Sequence, residues 1–166
     1  MKLEGYEEAQ DLVVTRVFDA PVERVWNAWS DPDHLMRWWG PTGFTSPTCA
    51  MDFREGGTSL VCMRSPDGQH FYNTWAYSTI KPRHLIEFVM DLADEHGRRV
   101  DDPTGQGLPP DFPRDVHHVV TLVELADDRT ELTVTELGYT SATMLEISAA
   151  GLNQCLDKMA ASFVEP

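Results

Sequence analysis

The spacing of apolar residues along the chain changes with each element that it predicts. β-branched and aromatic residues in DLVVTRVFDA (residues 11–20) predict a first strand. Apolar residues in 22–29 then recur at intervals of three and four, which is the spacing of one helix face. Asp31 is a suitable cap for a second short helix that begins at Pro32 and ends at Gly40. The pattern therefore predicts one strand followed by two short helices.

Period-two alternation dominates after residue 49 and predicts a series of strands. Asp67-Gly68 is a strong hairpin signal, and further turns are predicted at Gly56-Gly57 and Asp127-Asp128. Because runs joined by tight turns pair antiparallel, one antiparallel sheet is expected. The predicted strands cover residues 49–55, 58–65, 70–80, 84–92, 116–125 and 130–137.

Residues 141–164 have the composition and spacing of one long helix. Ser141 is a suitable N-cap, and no proline interrupts the segment. A helix with an apolar side is expected to cover one face of the sheet. The residues predicted to line that side are Met144, Ile147, Gly151, Cys155 and Met159.

A long polar connection rich in proline and glycine covers residues 93–115. Connections longer than about 12–15 residues without secondary structure are uncommon in compact domains and usually act as lids or stay disordered. We expect a mobile flap near a cavity mouth, with Leu108 and Phe112 as its apolar contacts. Residues 1–10 are polar, and we expect them to be frayed.

These elements predict an α+β fold in which residues 1–166 form a single domain. The expected architecture is a curved antiparallel sheet of six to seven strands around the long C-terminal helix, with the two short helices after the first strand. A curved sheet that holds a helix leaves a cavity between them. The fold therefore offers a natural place for a ligand.

Composition and charge narrow the classes of partner. The formal net charge is −14, and the 13 Lys and Arg residues are scattered, so binding to nucleic acid or to an anionic membrane is not expected. No apolar run approaches the roughly 20 residues that span a bilayer. The three cysteines form no CxxC pair, and the N-terminus lacks the layout of a signal peptide. A cytoplasmic location is the expectation.

Four segments carry a resemblance to a known family. They are RVFDAPVERVWNAWSDPDHLMRWWGPTGFT (16–45), MDFREGG (51–57), MRSPDG (63–68) and STIKPRHLIEF (78–88). In this order and spacing they resemble the family named for the homologue of the heat-shock-protein-90 ATPase activator. The resemblance covers roughly residues 12–163. It implies the helix-grip fold of the START-like (SRPBCC) superfamily, which includes lipid carriers, cyclases and hormone receptors.

The sequence departs from the family pattern at two positions. Trp75-Ala76 stands where a glycine is usual in the fourth strand, and Leu152 follows Gly151 where a tryptophan is usual. Both positions are expected to border the cavity, so its shape should differ from that in relatives. The adjacent Trp38 and Trp39 are expected mainly to seal the end of the core, with the alternative that one ring lines the cavity.

Large and polarisable side chains are expected to form the cavity wall, because aromatic residues and methionine suit an adaptable apolar pocket. Each of them, taken singly, is equally compatible with plain core packing. The predicted ligand-binding set is Trp39, Trp75, Tyr77, Phe88, Met90, His118, Val120, Met144, Ile147, Gly151 and Cys155.

His118 is the strongest acid/base candidate. Neighbouring strand residues point to opposite faces, so His118 points inward if Val120 does, and His117 points outward. A buried imidazole there would act as a general base or orient a ligand; the alternative is a structural histidine bonded across the sheet. Glu87 and Asp91 are expected to face solvent. The six histidines show no HxxxH spacing, and no glycine-rich loop opens a helix, so neither a metal nor another cofactor is expected.

Three functions are compatible with these observations. The first is binding of an apolar or amphipathic small molecule in the cavity. The second is an enzyme on the same scaffold, such as a cyclase, dehydratase or hydrolase, that uses the pocket histidine. The third is a co-chaperone, which the family name alone suggests. No residue is assigned as catalytic, and exposed edge strands allow a homodimer.

Overall fold

The computed structural model describes residues 9–164, which form an antiparallel sheet of seven strands with three α-helices. The predicted α+β fold is confirmed. The expectation for residues 1–10 lies almost entirely outside the described part of the chain. Within that part, no helix is long and apolar enough to cross a membrane. The elements are β1 (Gln10–Phe18), α1 (Val22–Ser30), α2 (Pro32–Leu35), β2 (Cys49–Ala50), β3 (Thr58–Arg64), β4 (His70–Lys81), β5 (Leu85–Ala93), β6 (Val116–Leu125), β7 (Arg129–Tyr139) and α3 (Ala142–Val164).

The strand order across the sheet is β1-β7-β6-β5-β4-β3-β2. Strands β2 to β7 pair with their neighbours in sequence, and β1 adds to the far side of β7. The chain therefore crosses from one edge of the sheet to the other between β1 and β2, through α1 and α2. Each described strand pair is antiparallel, as hairpin connections require.

Strand β2 is much shorter than the predicted strand 49–55 and ends at Ala50, which corrects that prediction. Residues 51–57 instead form a tight turn, in which Arg54 N–H donates to the Asp52 carbonyl at 3.0 Å and Gly57 N–H donates to the Arg54 carbonyl at 2.9 Å. A Cβ atom on Gly57 would lie 2.3 Å from the Asp52 carbonyl oxygen. The close approach of the backbone at this turn requires glycine there.

The connection 93–115 contains more structure than its composition predicted. A 3-10 helix covers Pro103–Gln106. Asp91, near the end of β5, forms ionic hydrogen bonds with arginines from two parts of this connection. Its carboxylate accepts a hydrogen bond from Arg114 Nε at 2.8 Å and one from Arg99 Nη1 at 2.5 Å. Asp91 is thus only 11% exposed at its side chain, which corrects the expectation that it faces solvent.

Helix α3 packs on the sheet mainly through its C-terminal half. Leu156 and Met159 are fully buried there, and Phe163 meets Phe18 of β1 edge-on with ring centroids 5.5 Å apart. The N-terminal half carries small side chains, such as Ser148, on the side that faces the sheet. The two halves of the helix therefore pack differently against the sheet.

The predicted stripe of α3 is wrong at Ile147, whose side chain is 57% exposed. At about 100° per residue, Ile147 lies about 60° around the helix from Met144, on the side away from Ser148 and Leu152. The buried stripe therefore passes through Ser148 and Leu152 instead. Ile147 does not contribute to the space between helix and sheet.

Two cationic side chains attach α3 to the rest of the domain. The Lys158 ammonium donates to the carbonyl oxygens of Gly40 at 2.8 Å and Phe44 at 3.0 Å. Arg24 of α1 donates to the carbonyl of Phe163, which lies in the last turn of α3, at 2.8 Å. Carbonyls of a helix C-terminus lack partners within the helix, so this contact also caps α3.

The turn at residues 51–57 gives a stability prediction. We expect Gly57→Ala to lower the free energy of unfolding by about 1–3 kcal/mol, because the added methyl group overlaps the Asp52 carbonyl oxygen. Gly105→Ala is the matched control, since a Cβ atom there meets nothing within 4 Å. Urea unfolding measures both variants. Equal stability of the two would contradict the close approach at Gly57.

The contacts of Asp91 give a second prediction. We expect amide hydrogen exchange in residues 99–115 to be faster than in β5 and β6, and Asp91→Asn to accelerate it further by weakening two ionic hydrogen bonds. Asp101→Asn is the control, because that side chain is 93% exposed and lies 3.8 Å from Arg99. Protection as strong as in the strands would show that the segment is not a mobile flap.

Candidate functional site

A cavity of about 150 Å³ lies between the N-terminal half of α3 and the sheet. Its lining is mostly aromatic and aliphatic, with a few polar groups on one side. The residues around it come from α1, the corner after α2, strands β3 to β7, the connection before β6, and α3. They are Trp29, Trp39, Pro41, Met63, Trp75, Phe88, Met90, Phe112, Pro113, Val116, His118, Val134, Glu136, Tyr139, Ser148, Gly151, Leu152 and Cys155.

Three stacked rings form the floor of the cavity. Trp75 of β4 stacks on Phe88 of β5 with centroids 4.6 Å apart, and Phe88 stacks on His118 of β6 with centroids 4.7 Å apart. Phe88 and His118 are paired directly across the two strands, and His118 is paired with Glu136 of β7. The register of the sheet therefore aligns a column of stacked rings that ends in two ionisable groups.

The two adjacent tryptophans after α2 have different roles: one is buried in the core and the other lines the cavity. Trp38 is fully buried and donates its indole N–H to the Ala28 carbonyl at 2.7 Å, so it anchors the corner to α1. Trp39 lines the cavity and meets Trp75 edge-on at 5.1 Å. Helix α2 ends at Leu35, earlier than predicted, and a hydrogen-bonded turn presents the two rings.

Three indole groups at the cavity lack a hydrogen-bond partner among the described residues. They belong to Trp29, Trp39 and Trp75, which are 3%, 9% and 1% exposed. A buried donor without a partner costs about 1–3 kcal/mol. At this cavity the described residues therefore leave three indole N–H groups without a hydrogen-bond acceptor.

The polar side of the cavity consists of His118, Glu136 and Tyr139, which are each at most 6% exposed. Tyr139 Oη–H donates to Glu136 Oε1 at 2.9 Å, and His118 Nε2 lies 3.2 Å from the same oxygen. The other ring nitrogen, His118 Nδ1, lies 2.9 Å from the Val116 carbonyl oxygen. Burial, and then the charge of Glu136, raise the pKa of the Tyr139 hydroxyl well above its usual value.

The contacts of His118 determine where its protons lie. A carbonyl oxygen only accepts, so Nδ1 must carry a hydrogen toward Val116. The other ring nitrogen, Nε2, lies 3.2 Å from Oε1 of Glu136. An imidazole beside a carboxyl group is a pair of side chains that is able to act on a bound molecule as acid or base.

Seven of the residues predicted for the site line the cavity in the structure, namely Trp39, Trp75, Phe88, Met90, His118, Gly151 and Cys155. Tyr77 and Val120 are buried in the core, and Tyr77 bonds to Ser59 at 2.8 Å. Met144 borders a second, more polar cavity of about 220 Å³, which shares Phe112, Pro113, Val116 and Tyr139 with the first. Ile147 is exposed, as described above.

Sequence reasoning missed Glu136, although its signal was present. Leu132 and Val134 are fully buried, so the alternation of β7 places Glu136 on the same inward face. A carboxylate at a position of that kind is rare unless it is paired. The two departures from the family pattern were more informative, because both Trp75 and Leu152 border the cavity.

Two further residues of α3 decide the shape and reactivity of the cavity. A Cβ atom on Gly151 would meet nothing within 4 Å, so this glycine is not needed for close packing of helix against sheet. Burial raises the pKa of the Cys155 thiol to about 11, which keeps it protonated at neutral pH. Cys155 therefore contributes a small apolar surface rather than a nucleophile.

Comparison with known proteins places this geometry in context. The family model described as Activator of Hsp90 ATPase homolog 1-like protein matches residues 19–163. No curated protein matches the sequence.

Solved bacterial structures are similar over nearly the whole chain. A protein of Chromobacterium violaceum is 25% identical with a TM-score of 0.76, covering 94% of this chain and 98% of that one. A protein of Arthrobacter aurescens is 30% identical with a TM-score of 0.75, covering 95% and 88%. A protein of Mycobacterium smegmatis is 26% identical with a TM-score of 0.71, covering 92% and 89%.

Proposed function

The chain belongs to the Activator of Hsp90 ATPase homolog 1-like family, and on that premise we propose that it binds a small apolar or amphipathic molecule between the sheet and α3. The cavity beside Gly151 carries this proposal. Binding sites for small molecules are typically concave and mostly apolar, with a few convergent polar groups. The wall of aromatic rings and the His118–Glu136 pair have this composition.

The size of the cavity limits the part of the ligand that it holds. A volume of about 150 Å³ is close to that of an engineered apolar cavity that binds benzene, also roughly 150 Å³. One ring or a short branched chain therefore fills the space. Several lining residues on α3 and the preceding connection, such as Leu152 and Phe112, are only half-buried, so a longer ligand would extend past them.

Three of the four α3 residues that line the cavity are small, which supports a binding site rather than a packing defect. Ser148, Gly151 and Cys155 occupy successive positions on the side of α3 toward the aromatic wall. A glycine inside a helix costs about 0.5–1 kcal/mol relative to alanine. Since Gly151 relieves no close contact, its cost is offset if the open volume serves a ligand.

An enzyme on the same scaffold is the second candidate, favoured by His118 Nε2 at 3.2 Å from Glu136 Oε1 beside the cavity. This pair would supply or accept one proton at a bound substrate. Mass spectrometry of a bound ligand before and after incubation would distinguish turnover from binding. A co-chaperone role rests on the family name alone and is not proposed.

Self-association through an edge strand is compatible with ligand binding, and we propose β1 as the edge of such a homodimer. Strand β1 lies at one end of the sheet order, and its outward residues Val13 and Val17 are 60% and 47% exposed. Unpaired edge strands are common sites of strand addition. Native mass spectrometry would detect a dimer, and a monomer at micromolar concentration would exclude this arrangement.

The open volume beside Gly151 gives a direct test of the binding proposal. We expect toluene, used as an apolar probe, to quench or shift the fluorescence of the wild-type protein, because Trp29, Trp39 and Trp75 line the cavity. Gly151→Leu should weaken toluene binding at least about tenfold by filling the space. Gly151→Ala should retain binding and raise the free energy of unfolding by about 0.5–1 kcal/mol through helix propensity.

These two variants also separate a cavity from ordinary core packing. If helix and sheet were in close contact at this position, Gly151→Leu would overpack the core and cost roughly 1–3 kcal/mol. Urea unfolding of both variants measures that cost. Loss of stability in Gly151→Leu, together with no toluene binding by the wild type, would overturn the binding proposal.

A further inference from the structure

We propose that the cavity selects an aromatic alcohol, whose hydroxyl group donates a hydrogen bond to Oε2 of Glu136. This inference rests on the proposed function, since it requires the cavity to be a binding site. It specifies which chemical group the ligand carries and which atom of the protein binds that group.

Glu136 presents one engaged oxygen and one free oxygen. Its Oε1 accepts from Tyr139 and lies 3.2 Å from His118 Nε2. Within residues 9–164, Oε2 makes no hydrogen bond, although Glu136 is only 5% exposed and lines the cavity. The protein therefore fixes the orientation of the carboxylate through Oε1 and leaves Oε2 for another donor.

An unpaired acceptor at the cavity wall favours a ligand that brings its own donor. Leaving a polar group unsatisfied on burial is costly, and more so for a charged group. A purely apolar ligand would displace solvent from Oε2 and replace none of its interactions. A ligand with a hydroxyl group at this point satisfies the carboxylate and keeps the rest of its surface against the apolar wall.

The donor is better supplied by a hydroxyl than by an ammonium group. A ligand ammonium group would have to lose its hydration inside a mostly apolar cavity, and burying a charge is expensive. The unpartnered indole donors around the cavity also call for an acceptor. A hydroxyl oxygen both donates and accepts, whereas an ammonium group only donates.

The apolar part of the ligand is best supplied by a flat ring. Trp75, Phe88 and His118 stack face to face with centroids 4.6 and 4.7 Å apart, so the faces of Phe88 are covered and its edge borders the cavity. Edge-to-face contact is a favoured geometry of aromatic pairs, so a ligand ring is able to place its face against this edge. The cavity volume accommodates one ring, which makes phenol the simplest probe of the inference.

The first experiment compares phenol, toluene, anisole and benzylamine on the wild-type protein by calorimetric or NMR titration. Without a partner for its hydroxyl, phenol would bind more weakly than toluene, because it loses more hydration. With Glu136 Oε2 as acceptor, we expect phenol to bind about tenfold more tightly than toluene. Anisole, which lacks the hydrogen, should lose this advantage.

The second experiment replaces the acceptor. Glu136→Gln should weaken phenol binding about tenfold and change toluene binding less than about threefold, because a neutral amide is the weaker acceptor. Glu131→Gln is the matched control, since it lies on the same strand and alternates to the other face. Thermal unfolding checks that each variant folds. If Glu136→Gln does not fold, the comparison of phenol with anisole on the wild type decides.

Each outcome separates this inference from the binding proposal. If toluene fails to bind, the proposed function fails and this inference fails with it. If toluene binds and phenol binds no more tightly than toluene or anisole, only the present inference is overturned. Tighter binding of benzylamine than of phenol would also overturn it, in favour of a cationic ligand.

Discussion

The packing of the C-terminal half of α3 against the sheet holds the two layers of the domain together. Leu156, Met159 and Phe163 bury their side chains there, and Lys158 and Arg24 attach the helix to neighbouring backbone carbonyls. Burial of large apolar side chains contributes about 1.5–3 kcal/mol each. This half of the helix is thus firmly placed, and it determines how far the other half stands from the sheet.

The cavity results from the different packing of the two halves of α3 against the sheet. Beside the cavity, α3 presents the small residues Ser148 and Gly151, whereas its C-terminal half presents Leu156 and Met159 to the sheet. Opposite the small residues, the sheet presents Trp75 and Phe88, which stack on each other. A packed core elsewhere in the domain therefore supports an open volume at one place, which is a common arrangement in binding proteins.

Burying the polar groups of the cavity costs free energy, so a role other than stability is expected for them. A buried ion pair is often no more stabilising than apolar residues of the same volume, because desolvation offsets the attraction. His118 and Glu136 are nevertheless held in a fixed relation by the register of β6 and β7, by Tyr139 and by the Val116 carbonyl. A network that orients one carboxylate toward an apolar cavity is well suited to recognising a specific ligand group.

The amino-acid sequence alone predicted the order of the elements, the antiparallel sheet and the long C-terminal helix, because local periodicity and turn residues specify them. It also identified most of the aromatic wall, since alternation along β4, β5 and β6 places Trp75, Phe88 and His118 on one face. The exposure of Ile147 and the contact of Glu136 with His118 became visible only in the folded domain. The first depends on the rotation of α3 about its axis, which contacts with residues far apart in the chain set. The second depends on the register of the β6–β7 hairpin and on which face of the sheet α3 covers.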